Sequence, residues 1–489
     1  MKLRNCNLSL ASVFLILTGC MMGPDFHTPK APETSSYTEA PAVTKTSSVN
    51  QRSGASQVFV MQQRIPNDWW QLFHSPEINQ LIKMGIANNP NLAAAKSTLT
   101  LAQENVNAAV GNDFFPAVNA NLSGQRETIT GTSFGSHTAS LFSLYNASIN
   151  VSYTLDFFGA ERRQVEALRA QVDYGRYEMN AALLSLTGNI VTSSITLASF
   201  QEQINATKKI IALEENQLEI LKKQFALGGA SRTDVLTQET TVAQTKASLP
   251  PLEQSLAQTQ HALSVLVGVL PSEFQTPHLT LASLQLPTTI PVSLPSHLVE
   301  QRPDIKAAEA LLHVANAEVG VATANLYPQI NLTGSFGREA TSPSALFNPV
   351  NKIWNIGGSL LQPVFQGGAL TAEKRAAEAA SNVALAQYRQ VVLQAFQNVA
   401  DALRALEHDA NTLKQNVIAA SSARTNLQLT QSQYKLGAVN YITLLTAQRL
   451  YQQTLINRIQ AEAARYTDTA ALFQALGGGW WYNDNEATV

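Results

Sequence analysis

Three sets of residues in this 489-residue chain are of types that can do chemistry. Gly131-Thr132-Ser133-Phe134-Gly135 has the G-x-S-x-G spacing of a nucleophile elbow, where a serine hydroxyl attacks a carbonyl from a sharp strand-to-helix turn. Here it sits in a Gly-, Ser- and Thr-rich stretch between two alternating segments, with no helix after it, so it is read as a loop and no catalytic residue is assigned. The eight histidines are scattered, none at a ligand spacing from a second His or Cys, so no metal site is assigned. No phosphate-binding loop or dinucleotide fingerprint occurs, and the chain is read as a non-enzyme without an energy source of its own.

The third set is the thiol of Cys20. Lys2 and Arg4, then an apolar run at residues 8–17, lead into Leu17-Thr18-Gly19-Cys20. The apolar run is too short to span a bilayer as a helix. The order resembles the bacterial lipoprotein signal, in which the Cys is diacylated and becomes the first residue; an ordinary secretory signal with an incidental Cys20 is the alternative. The expected non-protein group is therefore an N-acyl diglyceride on Cys20, with residues 1–19 removed. Met21 stands where an Asp would suggest retention at the inner membrane, which favours the outer membrane; with Met22 it is read as linker, not as a metal ligand. Cys6 leaves with the signal, so no disulfide is available. Charged residues are only 14% of the chain and the formal net charge is −2, which gives no case for nucleic acid.

The elements that would position such groups repeat. "QFALGGASRTDVLTQE" (residues 224–239) and "QYKLGAVNYITLLTAQ" (433–448) superpose with Gly228 on Gly437, a shift of 209. Upstream, Leu183, Ile190, Leu197, Ile204, Ile211, Leu218 and Phe225 fall seven apart, and the same shift gives Val392, Val399, Leu406, Leu413, Ala420, Leu427 and Tyr434. Two heptad stripes in one register predict two long helices that wrap left-handed around partners. Residues 88–124 are echoed by 301–337: an Ala-rich helix, an aromatic-Pro pair, then period-two alternation. Four such strands are expected, near 116–126, 143–156, 328–337 and 352–363, each with apolar residues on one side and Asn, Ser or Thr on the other. That pattern suits a membrane barrel with a wet lumen, although four strands of a soluble sheet alternate equally. Four strands cannot close, and open edges are not tolerated in lipid, so three chains pooling twelve strands are inferred. The expected organisation is a signal (1–19), a lipidated tether (20–66), a first repeat (67–270), a Pro-rich connection (271–298), a second repeat (299–482) and a tail (483–489). Pro250-Pro251 is expected to kink or interrupt its helix.

With "DWWQLF" (68–73), "ANNPNLAAA" (87–95), the twin turns and "ALGGGWW" (475–481) in this order, the chain resembles the TolC-like outer-membrane efflux family, in its lipoprotein branch serving resistance-nodulation-division (RND) pumps. The resemblance covers residues 20 to about 482. It implies an α+β membrane protein: a homotrimer with a twelve-stranded outer-membrane β-barrel, continued by an α-helical coiled-coil tunnel in the periplasm and built from an internal two-fold repeat. The implied partners are outer-membrane lipid, a periplasmic adaptor and an RND-type inner-membrane pump. The implied activity is passive export of small toxic compounds. A protein-secretion duct of the same fold, or a poreless structural coiled-coil lipoprotein, are the competing readings.

In the family the twin turns lie at the periplasmic mouth. Gly228, Gly229 and Gly437 would stop one helix of each hairpin, and Thr233 with Asp234 would begin the next. Positions that narrow the mouth with aspartates in the family correspond here to Ile442, Thr443 and Thr446, whereas Asp234 keeps its match. The resemblance therefore implies a gate of Ile442 side chains and Thr hydroxyls. Tyr434, Arg232 and Asp234 are candidates for a latch between hairpins, or for capping and coiled-coil core.

Overall fold

The computed structural model describes residues 21–34, 36–39, 43–61, 63, 65–130 and 139–480. Cys20 and the motif at 131–135 lie outside them. Besides short 3-10 turns, the elements are β1 (Val58–Met61), α1 (Pro76–Asn88), α2 (Pro90–Asp113), β2 (Ala117–Thr130), β3 (Ala139–Leu155), α3 (Ala160–Ala226), α4 (Arg232–Ala247), α5 (Leu249–Leu266), β4 (Thr289–Val292), α6 (Pro295–Gln301), α7 (Pro303–Ala324), β5 (Gln329–Ala340), β6 (Lys352–Leu361), α8 (Ala369–Lys435) and α9 (Tyr441–Ala475). They divide into two compact units. One takes in Thr98–Arg176 and Ala307–Arg389 with the N-terminal segment up to Pro29; the other takes in the rest.

The first unit holds a four-stranded antiparallel sheet in the order β2-β3-β5-β6. Its register sorts the side chains by face, because residues directly opposite in antiparallel strands point the same way. Ala120 faces Ile149, Ile149 faces Phe336, and Phe336 faces Trp354; one step along, Asn150 faces Ser335 and Ser335 faces Asn355. One face is thus Val, Leu, Ile and aromatic, and the other Asn, Ser and Thr. Among the described residues no core covers the apolar face: Leu122 is 78% exposed, Trp354 67% and Ile356 83%. The strands run further than their alternation announces. β2 and β3 pair out to Thr130 and Ala139, and β5 continues to Ala340. Beyond Ser123 the sequence turns polar on both faces (Gln125-Arg126-Glu127), which erases the period-two signal while backbone pairing continues.

Strand gives way to helix at Gly159, with φ +81°, and at Gly367 and Gly368, with φ +60° and +85°. In the same unit the segment after Met21 is pinned by charge and stacking. Buried Arg163 bonds Asp25 at 2.8 Å and Glu166 at 2.7 Å, Glu166 meets His313 at 2.9 Å, and Phe26 stacks on the His313 ring.

In the second unit the heptad stripe is the packing surface. Ile190, Leu197, Ile204 and Ile211 are buried, as are Val392, Val399, Leu406, Leu413, Ala420 and Leu427. Phe225 is 45% exposed; at the turn the stripe runs out and Leu221, fully buried, takes over. Helices α3 and α8 each have 67 residues, about 100 Å at 1.5 Å per residue. Ion pairs Lys208–Glu253, Lys246–Glu215 and Lys222–Glu239 run from α3 to the α4–α5 strand of the hairpin in a single antiparallel register. The helix breaks at Ser248 and restarts with Pro250 and Pro251 in its first turn, where the missing N–H has no intrahelical role.

The segment read as a tether is not free over its second half. β1 pairs in parallel with β4, Gln57 bonds Pro287 O and Thr469 Oγ1, and buried Arg465 donates to Ser53 O at 3.0 Å and Ala55 O at 2.6 Å. Its partners come from α9 and the Pro-rich connection, so its own sequence shows no period. The two Trp-rich segments, far apart in sequence, also meet here: Trp69 stacks on Phe473, and a Cβ on Gly478 would lie 3.3 Å from the Trp69 ring.

Candidate functional site

The twin turns are built alike. Gly228 N–H donates to Phe225 O and Gly229 N–H to Gln224 O; Gly437 N–H donates to Tyr434 O and Ala438 N–H to Gln433 O. These paired bonds around a glycine at φ +80° or +74° are the Schellman stop, which satisfies the last free carbonyls of α3 and α8. A Cβ on either glycine would meet nothing within 4 Å, so glycine is required there by backbone conformation alone.

The start of the following helix differs from expectation. Helix α4 begins at Arg232, and its N-cap is Ser231, not Thr233 or Asp234. Ser231 Oγ accepts from Asp234 N–H while Asp234 Oδ2 accepts from Ser231 N–H, both at 3.1 Å. This reciprocal capping box occupies the carboxylate of Asp234. Thr233 is exposed, and its carbonyl accepts from Thr237 Oγ1. Arg232 is exposed, and its side chain has no hydrogen bond or ion pair among the described residues. At the second turn Asn440 caps α9, its Oδ1 accepting from Thr443 N–H at 3.0 Å and Thr443 Oγ1 at 2.9 Å. Ile442 is 66% exposed, and Thr446 bonds back to Ile442 O along the same exposed side of α9. Ile442, Thr443 and Thr446 therefore share one unburied face within the chain.

The contacts that join the two hairpins lie on the opposite face. Tyr441 is buried, and its hydroxyl donates to Gln238 Oε1 on α4; Gln238 Nε2 donates to Glu214 O on α3 at 2.8 Å. Tyr434 sets its hydroxyl 3.4 Å from Gln224 Oε1 and its ring edge-on to Tyr441 at 6.1 Å. Leu221, Tyr441 and Leu445 form a small core with Ala230, Val235 and Tyr434 against it. Arg449 reaches Thr241 Oγ1 at 3.5 Å, and Gln460 reaches Gln203 at 3.1 Å. Burial raises the pKa of Tyr441, with Tyr434 and Asp234 adding to it; Tyr434 is raised by burial and then by Asp234. Both phenols stay protonated donors. Of the residues proposed as a latch, Tyr434 joins the hairpins, Asp234 caps, and Arg232 does neither. Sequence reasoning missed Tyr441, Gln238 and Gln224, whose partners lie on another hairpin. It also missed Ser231 and Asn440, although Ser231-x-x-Asp234 carries the capping-box spacing.

The same protein-family profile, described as "Outer membrane efflux protein", matches residues 81–269 and again 294–478. The toluene efflux pump outer membrane protein TtgC of Pseudomonas putida is 30% identical over 487 residues, which is 98% of this chain and 97% of that protein. Among solved structures, the outer-membrane channel OprN superposes with a TM-score of 0.84 at 26% identity, covering 94% of this chain and 100% of that one. The open state of the MtrE outer membrane channel of Neisseria gonorrhoeae gives 0.80 at 25% identity, covering 94% and 98%. A match over most of the chain, to proteins covered almost end to end, fixes the family. This chain belongs to the outer membrane efflux protein family.

Proposed function

We infer that the chain is the outer-membrane channel of a tripartite efflux system, passively exporting small toxic compounds handed to it by an inner-membrane pump and a periplasmic adaptor. The observation that carries this is the exposed apolar face of the sheet, backed by a polar face, in a chain that resembles an efflux-pump outer membrane protein along its whole length. A sheet with one apolar face open to its surroundings needs lipid on that side, and its edges β2 and β6 need partner strands. Three chains closing twelve strands meet both needs. The doubled profile match supports an internal repeat in which each half contributes two strands and one hairpin.

In this reading the acylated Cys20 anchors the N-terminus beside the barrel, and the twin turns form the periplasmic mouth that meets the adaptor. Ile442, Thr443 and Thr446 narrow the lumen with an apolar ring and hydroxyls. Tyr434, Tyr441 and Gln238 hold the second hairpin against the first, and no residue is assigned a reaction. Deletion of the gene tests the function. The deletion strain is expected to become more susceptible to a panel of small toxic compounds and to recover with the plasmid-borne gene. Unchanged susceptibility together with loss of a secreted polypeptide would replace efflux by protein secretion.

A further inference from the structure

The alternation that makes one sheet face apolar also sorts its charges. Five charged side chains occur in β2, β3, β5 and β6: Arg126, Glu127, Arg338, Glu339 and Lys352. All stand toward the ends where β2 connects to β3 and β5 to β6, away from the ends that join helices. By register, Arg338 lies opposite Ala147 and Lys352, on the face that carries Leu122, Phe336 and Trp354, and Arg126 falls on the same face of β2. Glu127 and Glu339 fall on the Asn and Ser face, where Asn146 Nδ2 donates to Glu339 Oε2. The cations therefore point where the apolar residues point, and the carboxylates point the other way.

This arrangement is costly as it stands. Like charges directly opposite on neighbouring strands repel, and Arg338 and Lys352 are so paired with no ion-pair partner among the described residues. Arg338 is held instead by two carbonyls, its Nη1 donating to Phe347 O at 2.6 Å and Asn348 O at 2.8 Å, while its Nε and Nη2 have no partner among the described residues. Lys352 sits 5.1 Å over the Phe336 ring, in the row next to Phe336 and Trp354. A hollow of about 420 Å³ is lined by Leu122, Ile149, Phe336, Phe347 and Arg338, together with small and polar residues of β2, β3 and β5.

We propose that this face binds a phosphorylated, multiply acylated glycolipid of the outer leaflet, of the lipid A type, with a phosphate between Arg338 and Lys352 and an acyl chain in the hollow. The proposal rests on the barrel reading, which puts this face in lipid and the loop end outward. A free phosphate has no use for the apolar hollow, and an acyl chain alone has none for the cation pair. The two features adjoin, as the headgroup and tail of one lipid do. Arg126, further along the same face, extends the positive band toward the loops.

Native mass spectrometry of the purified full-length oligomer tests it. The wild-type oligomer is titrated with diphosphorylated lipid A, with the same lipid stripped of phosphate, and with inorganic phosphate alone. Binding of the diphosphorylated lipid is expected to fall roughly thirtyfold in Arg338→Ala/Lys352→Ala, the loss expected for two basic groups beside an anionic surface. It should be retained in Arg338→Lys/Lys352→Arg, and in Glu127→Gln/Glu339→Gln on the other face. Equal binding of the stripped lipid, equal binding by the double Ala variant, or full competition by inorganic phosphate would overturn the proposal. Planar-bilayer conductance of the same preparations separates this from the channel reading, because a conducting oligomer indifferent to lipid A phosphate loses only the lipid site.

Discussion

At the scale of single residues, the site turns on which side chain each backbone position demands. Gly437 needs φ +74° with open space around it, so Gly437→Ala should cost about 1–2 kcal/mol through the backbone alone. Amide exchange at the second turn should speed about five- to thirtyfold, with the sheet unchanged; equal exchange in both proteins would show that the turn is not strained. The glycines and the acidic first turn of α4 are legible in sequence because caps are local chemistry. Tyr441 is not. Its value lies in one hydroxyl bound to Gln238, a residue on another hairpin and itself fully buried. Tyr441→Phe leaves the Gln238 amide oxygen without that donor, at about 1–3 kcal/mol. If this bond holds the hairpins together, the variant channel should conduct more often in planar bilayers at the same voltage than the wild type. An unchanged open fraction would remove Tyr441 from the latch.

At the scale of elements, period decides what a sequence shows. The heptads of α3 and α8 and the alternation of the strands are periodicities of the chain itself, and they lead directly to the buried stripe and the two-faced sheet. Residues 43–61 and the charged ends of the strands have no such period, since their partners are remote: Arg465 for the first, the register of neighbouring strands for the second. A half-buried carboxyl pair between α8 and α9 escapes the sequence for the same reason. Burial first, then the neighbouring Asp468, lifts Asp409 from its ordinary 3.8 to about 7, with Arg465 opposing. The folded state then holds a proton that the unfolded chain releases, so this pair's stabilisation is complete below 3.8 and is lost as pH rises through about 7. Hydrogen exchange in α8 and α9, corrected for intrinsic rates, should be slower at pH 5 than at pH 8, and Asp409→Asn should flatten the difference. A slope that persists in the variant would place the titrating group elsewhere.

At the scale of the whole molecule, the described residues leave an apolar face without a core, two sheet edges without partners and heptad helices patterned to wrap. In the proposed assembly, closure with two further copies would supply all three, and an acylated Cys20 would hold it at the membrane. The same closure can be trapped covalently. The chain has only Cys6 and Cys20, which processing and acylation would take out of play, so a background free of reactive thiols comes without engineering. In that background one cysteine replaces Gly358 on β6 and a second is scanned along β2. Within one chain those strands are three spacings apart, about 14 Å, beyond the roughly 7 Å that a disulfide can bridge. Oxidation in native membranes should therefore give, at some β2 positions, a covalent ladder that stops at three chains. A chain that stays monomeric at every position, or a ladder that runs on past three, would contradict a closed twelve-stranded channel.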